Sequence, residues 1–254
     1  MKGALSWAPL SRAPARVLDL GTGTGIWANQ FAEKHPEAEV IGIDLSLIQP
    51  PADRIPSNCK FIRKDADEPW NFGSASEVTM FDLIHLRNMA TSFDDPKAIV
   101  GKVFQSLAPG GWVEYQEWAP SGLLGADDSM DERLRHSAMM RFQEIVAEGA
   151  ARIGRDVKLV PRLKEWFAEA GFVDVVERRI LCPNNPWPSS PEDKLIGKYA
   201  QRSALDGMEA ASVKICPIAG MTAEQPKELM GKARKEMMDE TLRAYYPMDA
   251  TAEV

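Results

Sequence analysis

The chain has 254 residues, 44% of them hydrophobic and 26% charged, with a formal net charge of −7. That is enough apolar material for one large α/β domain, or one domain with a cap. The negative balance argues against a duplex or tRNA partner, whose phosphates need a basic face. Three cysteines stand far apart with no CxxC pair and no leader-like start; they read as free thiols in a reducing compartment, which places the protein in the cytoplasm. No apolar run is long enough to span a membrane. His35, His85 and His136 are not at metal-ligand spacing, so no metal is expected.

Residues 1–15 read as a lead-in with two prolines and little periodicity. Arg16–Leu20 is a continuous apolar run of the kind that forms a parallel strand buried on both faces. Gly21-Thr22-Gly23-Thr24-Gly25 follows, and three glycines in five residues let the backbone turn tightly and approach a ligand. A helix is predicted over Ile26–Lys34, with Ile26, Phe31 and Ala32 inward and Pro36 as its stop. Its free N–H groups point at whatever lies in the turn. The second strand, Glu39–Asp44, ends in an acid 19 residues after Gly25. In a βαβ unit that spacing suits a carboxylate on ribose hydroxyls, against the plainer reading of a loop or N-cap aspartate. A dinucleotide fingerprint would place a small residue where Ile26 stands, and no Tyr-x-x-x-Lys pair occurs; both weigh against a nicotinamide-dependent oxidoreductase.

A third short strand, Cys59–Arg63, leads into Lys64-Asp65-Ala66-Asp67. The fourth, Met80–Leu86, is followed by Arg87, Asn88 and Met89. Ligands of open parallel sheets sit beyond the strand C-termini, so His85 and Arg87 are candidates for the reacting centre. His85 is the best-placed general base, or else a packed histidine that orients backbone. Arg87 binds an acidic substrate or pairs with a nearby carboxylate. An amphipathic helix over Asp94–Leu107 ends at Pro109-Gly110-Gly111, before a fifth strand, Trp112–Glu117. Glu114, Gln116 and Glu117 could face the pocket, although lone acids are more often structural.

The second half departs from strand–helix alternation. Asp127, Asp128 and Ser129 offer caps for one helix running to about Ala150, whose Met139–Met140 pair suits a lid for a flexible apolar substrate or an ordinary core. A helix over Pro161–Ala170 and a sixth strand over Phe172–Leu181 follow. After the proline-rich stretch 183–188, a Ser190-capped helix is expected to about Leu205, and Thr222-x-x-Gln225 resembles a capping box opening a last helix to about Tyr245.

Val17-Leu18-Asp19-Leu20-Gly21-Thr22-Gly23-Thr24-Gly25-Ile26-Trp27-Ala28, Ile43-Asp44-Leu45-Ser46 with Gln49-Pro50, Phe81–Arg87 and Gly110–Glu117 together resemble fungal LaeA-like methyltransferases. These are class I S-adenosylmethionine-dependent enzymes and regulators of secondary metabolism, and the resemblance runs from about Leu10 to Tyr246. It implies an α/β, Rossmann-like class I methyltransferase fold, with a mostly parallel sheet flanked by helices and a helical cap from the second half. Residues 1–254 would form one methyltransferase domain: 16–118 as the cofactor-binding core, 119–160 and 183–246 as the cap and substrate segments. It further implies that Gly21, Gly23 and Gly25 admit the methionine moiety of S-adenosylmethionine, which leaves as S-adenosylhomocysteine. Asp19 would orient the turn and the cofactor's amino group, and Asp44 would take the ribose hydroxyls. Leu45 would pack on adenine, Asp65 would hold the adenine amino group with the Ala66 backbone on the ring edge, and the backbone near His85 and Leu86 would flank the sulfonium. The implied partner is a small-molecule acceptor. In the regulatory reading, protein partners replace it and the protein is nuclear. Family members usually carry helices ahead of the glycine turn and a final antiparallel strand. Here about fifteen residues precede the turn and Met248–Val254 reads as a poor strand, so a more open cofactor site and an exposed sheet edge are expected.

Overall fold

The structure is a computed structural model that describes residues 5–10, 13–72, 80–119, 122–222 and 224–253, without the side chains of 250–253. Parts of the expected lead-in (1–4 and 11–12), the start of the expected cap (120–121) and Val254 lie outside the described residues. In chain order the elements are β1 (Arg16–Leu20), α1 (Ile26–Lys34), β2 (Glu39–Asp44), β3 (Cys59–Arg63), β4 (Phe81–Arg87), α2 (Pro96–Ser106), β5 (Leu107–Trp118), β6 (Leu124–Gly125), α3 (Asp128–Arg135), α4 (Ala138–Arg152), α5 (Leu163–Ala170), β7 (Val176–Pro183), α6 (Pro191–Lys214), α7 (Gln225–Met238) and β8 (Ala244–Glu253). Two compact units emerge. The first holds Met1–Glu117, Pro161–Arg178 and Ala250–Val254; the second holds Trp118–Val160 and Arg179–Asp249.

The first unit is a parallel sheet in the order β3-β2-β1-β4-β5. Its strands β1, β2 and β4 are mostly apolar because they are buried on both faces, whereas the edge strand β3 is largely exposed. Val17, Leu18, Leu20, Ile41, Ile43, Leu83, Ile84 and Leu86 are all buried, each contributing roughly 1.5–3 kcal/mol of transfer free energy. On one face lies α1, turning in Trp27, Ala28, Phe31 and Ala32. Ile26, expected inward, is 57% exposed. The helix starts from a left-handed Gly25 (φ 75°), and that phase gives the inward position to Trp27. Helix α2 is capped by Asp95, whose side chain accepts the Ala98 N–H at 2.9 Å, and it packs with α5 through Phe104, Phe172 and Phe167.

Parallel pairing aligns residues that share a face, and one transverse row crosses the whole sheet. Phe61 of β3 pairs with Gly42 of β2, Gly42 with Asp19 of β1, Asp19 with His85 of β4, and His85 with Glu114 of β5. An apolar ring, a bare glycine and three polar side chains therefore lie side by side beneath α1.

The second unit is helical. Met139, Phe142 and Ile145 of α4, Met208 of α6, and Ala233 and Met237 of α7 form its core. The single helix expected to about Ala150 is two. The chain breaks at Ser137, whose hydroxyl accepts the Met140 N–H at 3.1 Å and restarts the helix as α4. Helix α6 continues past Leu205 to Lys214. Helix α7 stops at Met238 rather than near Tyr245, where the Asp239 carboxylate takes the Thr241 N–H and hydroxyl and pairs with Arg133.

The terminal segment, expected to be a poor strand, is the ten-residue strand β8. Its own propensity is low, so tertiary partners hold it. Leu124 and Gly125 of β6 pair antiparallel with Tyr245 and Ala244, the Ala119 N–H donates to the Pro247 carbonyl, and the buried Asp249 accepts two bonds from Arg179 at 2.7 and 2.8 Å.

Candidate functional site

The candidate residues lie at the C-terminal ends of β1 to β4, the end of an open parallel sheet at which ligands bind. Gly21, Gly23 and Gly25 all have positive φ, at 73°, 54° and 75°, so the turn needs glycine at each for backbone reasons alone. Their surroundings differ. A Cβ on Gly21 would strike the Met89 side chain, and one on Gly25 would strike the Phe61 ring. One on Gly23 would meet nothing within 4 Å. Gly23 is thus the open face of the turn, while Gly25 is needed because Phe61 fills its space.

The turn's amides are largely spoken for. The Gly21 and Thr22 N–H groups both donate to the Ile43 carbonyl at 2.9 Å, and the Gly25 N–H to Thr22. The Gly23 N–H donates to Asp44 Oδ2 at 2.9 Å. A phosphate cradle presents such N–H groups outward; this turn spends them inward, which weighs against a pyrophosphate ligand on physical grounds independent of Ile26. Asp44 is partly exposed, and its Oδ1 also accepts the Ser46 N–H at 2.9 Å. Each oxygen keeps a second lone pair for a hydroxyl donor. Past it, Leu45, Leu47 and Ile48 are exposed, an apolar shelf beside the turn.

Beneath the turn, Asp19 and His85 form a buried pair. Asp19 Oδ1 lies 2.8 Å from His85 Nδ1, and Oδ2 accepts the Thr22 hydroxyl at 2.6 Å. The indole of Trp27 stacks on the imidazole with centroids 3.8 Å apart and planes within 4°. His85 is 1% exposed and its Nε2 has no hydrogen-bond partner. Next in the row, the fully buried Glu114 accepts the Ser6 hydroxyl at 2.6 Å, the Trp7 N–H at 2.8 Å and the Ala8 N–H at 3.3 Å, and Gln116 donates to its other oxygen. Trp27 Nε1 donates to the Leu5 carbonyl at 2.7 Å. Residues 5–8 of the segment read as a lead-in are therefore strapped across the α1 face of the sheet. Glu114 and Gln116, offered as pocket candidates, serve the strap.

The remaining candidates sit at the strand ends. Asp65 and Ala66 follow β3 in a turn where Asp65 Oδ1 takes the Asp67 N–H at 2.9 Å and the Ala66 carbonyl accepts Trp70 Nε1 at 2.9 Å. Lys102 of α2 donates to the carbonyls of Ala66, Asp67 and Glu68, a pin that no sequence pattern announced. Arg87 ends β4, exposed, two residues on from His85 and on the same face. Asn88 then takes a positive φ of 58° with its N–H on the Gln116 carbonyl, and this turn carries Met89 back over Gly21. Burial, and then the charge of Asp19, push the Cys59 thiol up to about 11. Burial, and then Glu117, hold Tyr115 well above its usual range. Neither is poised to ionise near neutrality. Among the described residues, no group of three His, Cys, Asp or Glu side chains could hold a metal ion, and no helix is long and apolar enough to cross a membrane.

Comparison with known proteins adds a family to this geometry. A methyltransferase-domain family matches residues 4–177. The chain is 29% identical over 251 residues to the probable methyltransferase tdiE of Emericella nidulans, covering 98% of this chain and 75% of that protein. It is 32% identical over 237 residues to the secondary metabolism regulator laeA of Fusarium oxysporum f. sp. lycopersici, covering 90% of this chain and 72% of the regulator. Among solved structures, the fold is shared with Haemonchus contortus phosphoethanolamine N-methyltransferase 2 in complex with S-adenosyl-L-methionine. There the TM-score is 0.51 at 18% identity, over 96% of this chain but 49% of that one, so this chain spans about half its length.

Proposed function

The chain belongs to the methyltransferase-domain family of S-adenosylmethionine-dependent enzymes, and we propose that it methylates a small-molecule acceptor of secondary metabolism in the cytoplasm. The observation that carries the reading is the Gly23 turn: open on its outer side, its amides satisfied inward, with a ribose-competent Asp44 and an apolar shelf beside it. These features fit a nucleoside bearing an amino-acid arm better than one bearing phosphates. In this reading Gly21, Gly23 and Gly25 shape the wall for the methionine arm, and Asp44 accepts from the ribose. Leu45 covers the adenine, Asp65 accepts from its amino group, and Ala66 lines the ring edge. The cofactor, when bound, supplies an electrophilic methyl group.

The protein's own contribution is alignment. In-line transfer needs the acceptor held within a narrow cone, and holding it there lowers the barrier by several kcal/mol without proton chemistry. Asp19 acts as a buried brace, holding Thr22 from below. His85 is assigned to positioning rather than to proton transfer: one nitrogen is on Asp19 and one ring face is on Trp27. Arg87, exposed at the end of β4 two residues beyond His85, offers an anionic acceptor its guanidinium. The net charge of −7 supports an acceptor other than nucleic acid.

Titration calorimetry with S-adenosylhomocysteine, together with a native mass spectrum of the purified protein, tests the reading. Binding at micromolar level is expected, and no detectable binding would overturn it. A second reading is favoured by the laeA relative: a regulator that keeps the cofactor site and acts through protein partners, in the nucleus. Cofactor binding with no methyl transfer to any small molecule, and a stable protein complex on pull-down, would select it.

A further inference from the structure

We infer that Gln49 is a positioning residue for the cofactor turn, acting as a clamp between the loop after β2 and the glycine turn after β1. The inference rests on the cofactor reading above. Gln49 Nε2 donates to the Gly23 carbonyl at 2.7 Å and to the Ser46 carbonyl at 3.0 Å. The orientation of the amide is fixed by its partners: two carbonyls face it, so only the NH2 end fits there. Both polar groups of the Gly23 residue are then held from the end of β2 and the loop after it, the N–H by Asp44 and the C=O by Gln49. Gly23 is the glycine with open space on its Cβ side and the smallest positive φ of the three. A residue without a Cβ has no side-chain packing to hold it, and its backbone is the freest in the chain. The clamp supplies the order that packing cannot.

A second consequence follows from where the clamp starts. The loop that carries Gln49 leaves β2 at Asp44 and carries Leu45 and Ser46, and the Ser46 N–H closes back on Asp44. Ribose contact at Asp44 and the wall at Gly23 therefore share one hydrogen-bonded unit. Gln49 is a group through which order in the adenosine half reaches the methionine half. It contacts the turn and not the reacting atoms.

The test uses the full chain with Gln49→Leu, which keeps bulk and loses the donor, and Gln49→Glu, which keeps shape and sets a carboxylate against two carbonyls. Two readouts are needed: affinity for S-adenosylhomocysteine by calorimetry, and hydrogen exchange of the Gly21–Gly25 peptide without ligand. Both variants are expected to bind about tenfold more weakly, the worth of two neutral hydrogen bonds. They should also exchange faster in that peptide, with the rest of the first unit unchanged. Wild type that binds while both variants bind equally well overturns the assignment and leaves the cofactor reading intact. Weaker binding with unchanged exchange at Gly21–Gly25 overturns the clamp, because the effect then does not pass through the turn. Wild type that fails to bind overturns the cofactor reading, and the assignment falls with it.

Discussion

The two units are stabilised in different ways. In the first, regular parallel strands bury branched aliphatic residues, and a row of buried polar side chains is knit by hydrogen bonds: Asp19 with Thr22 and His85, Glu114 with Ser6, Trp7 and Ala8. In the second, helices pack through methionine, phenylalanine and small residues, and the termini are stapled by side chains, some local such as Ser137 and Asp239, one distant in sequence, Asn185. In the proposed reading, the first unit places its cofactor site at these hydrogen-bonded strand ends. The second has soft, polarisable contacts that adapt to substitution. The difference teaches that the site's precision comes from hydrogen bonds laid on a rigid sheet, so that single polar changes should be costly there, whereas steric changes should dominate in the helical unit.

The largest expected effect is on ligand binding. Asp44→Ala removes the acceptor for the Gly23 and Ser46 N–H groups and should weaken S-adenosylhomocysteine binding about 100-fold, two charge-assisted bonds' worth, with the circular dichroism spectrum retained. Unchanged affinity in calorimetry would break the link between the turn and the cofactor. Next, Glu114→Ala strands a hydroxyl and two N–H groups in the interior of the first unit and should cost roughly 3 kcal/mol. Cleavage by trypsin or thermolysin ahead of β1 should appear before global unfolding; an uncleaved, equally stable variant would show that the strap is not held by this carboxylate.

In the second unit, Gly197→Ala sets two terms against each other. Alanine gains about 1 kcal/mol in helix propensity, but its Cβ would stand 2.2 Å from the Asn185 carbonyl oxygen, which is backbone and cannot step aside. Overpacking of this kind costs about 1–3 kcal/mol and should win, leaving a net loss of about 1 kcal/mol or more in urea unfolding. A more stable variant would mean that the helical unit yields to sterics as well. Ser137→Ala is expected to be the mildest, about 1 kcal/mol for a lost N-cap, and it would sharpen the contrast if amides of residues 134–140 lost protection while those of β1 and β4 kept theirs.

The site was readable in the sequence where chemistry is local. Glycines that must adopt positive φ announce themselves, as do an acid at the end of β2 and an apolar run that must be a buried strand; the bounds of β1, α1, β2 and β3 coincide with expectation. Roles that depend on partners distant in sequence were not readable. Glu114 is 108 residues from the serine it binds, and Lys102 reaches back 36 residues to pin the Ala66 turn. His85 carries no mark in the sequence to tell a general base from a buried brace. Gln49 stood within a recognised pattern, but the pattern does not say which carbonyl it serves. The split between α3 and α4 escaped because apolar spacing continues across Ser137 while the cap interrupts the backbone. Strand β8 escaped because strand formation is decided by partners: a segment of weak propensity becomes a strand when Arg179, β6 and β7 receive it.

By itself, then, the sequence determined the parallel α/β core, the three-glycine turn and the order of acids along the strand ends, since burial periodicity and backbone sterics act over a few residues. Only the tertiary structure decided that Gly23 is the open face of the turn, that Gly25 makes room for Phe61, and that residues 6–8 are strapped across the sheet by Glu114. Those outcomes depend on which side chains the sheet register sets side by side, and register is a property of the folded chain.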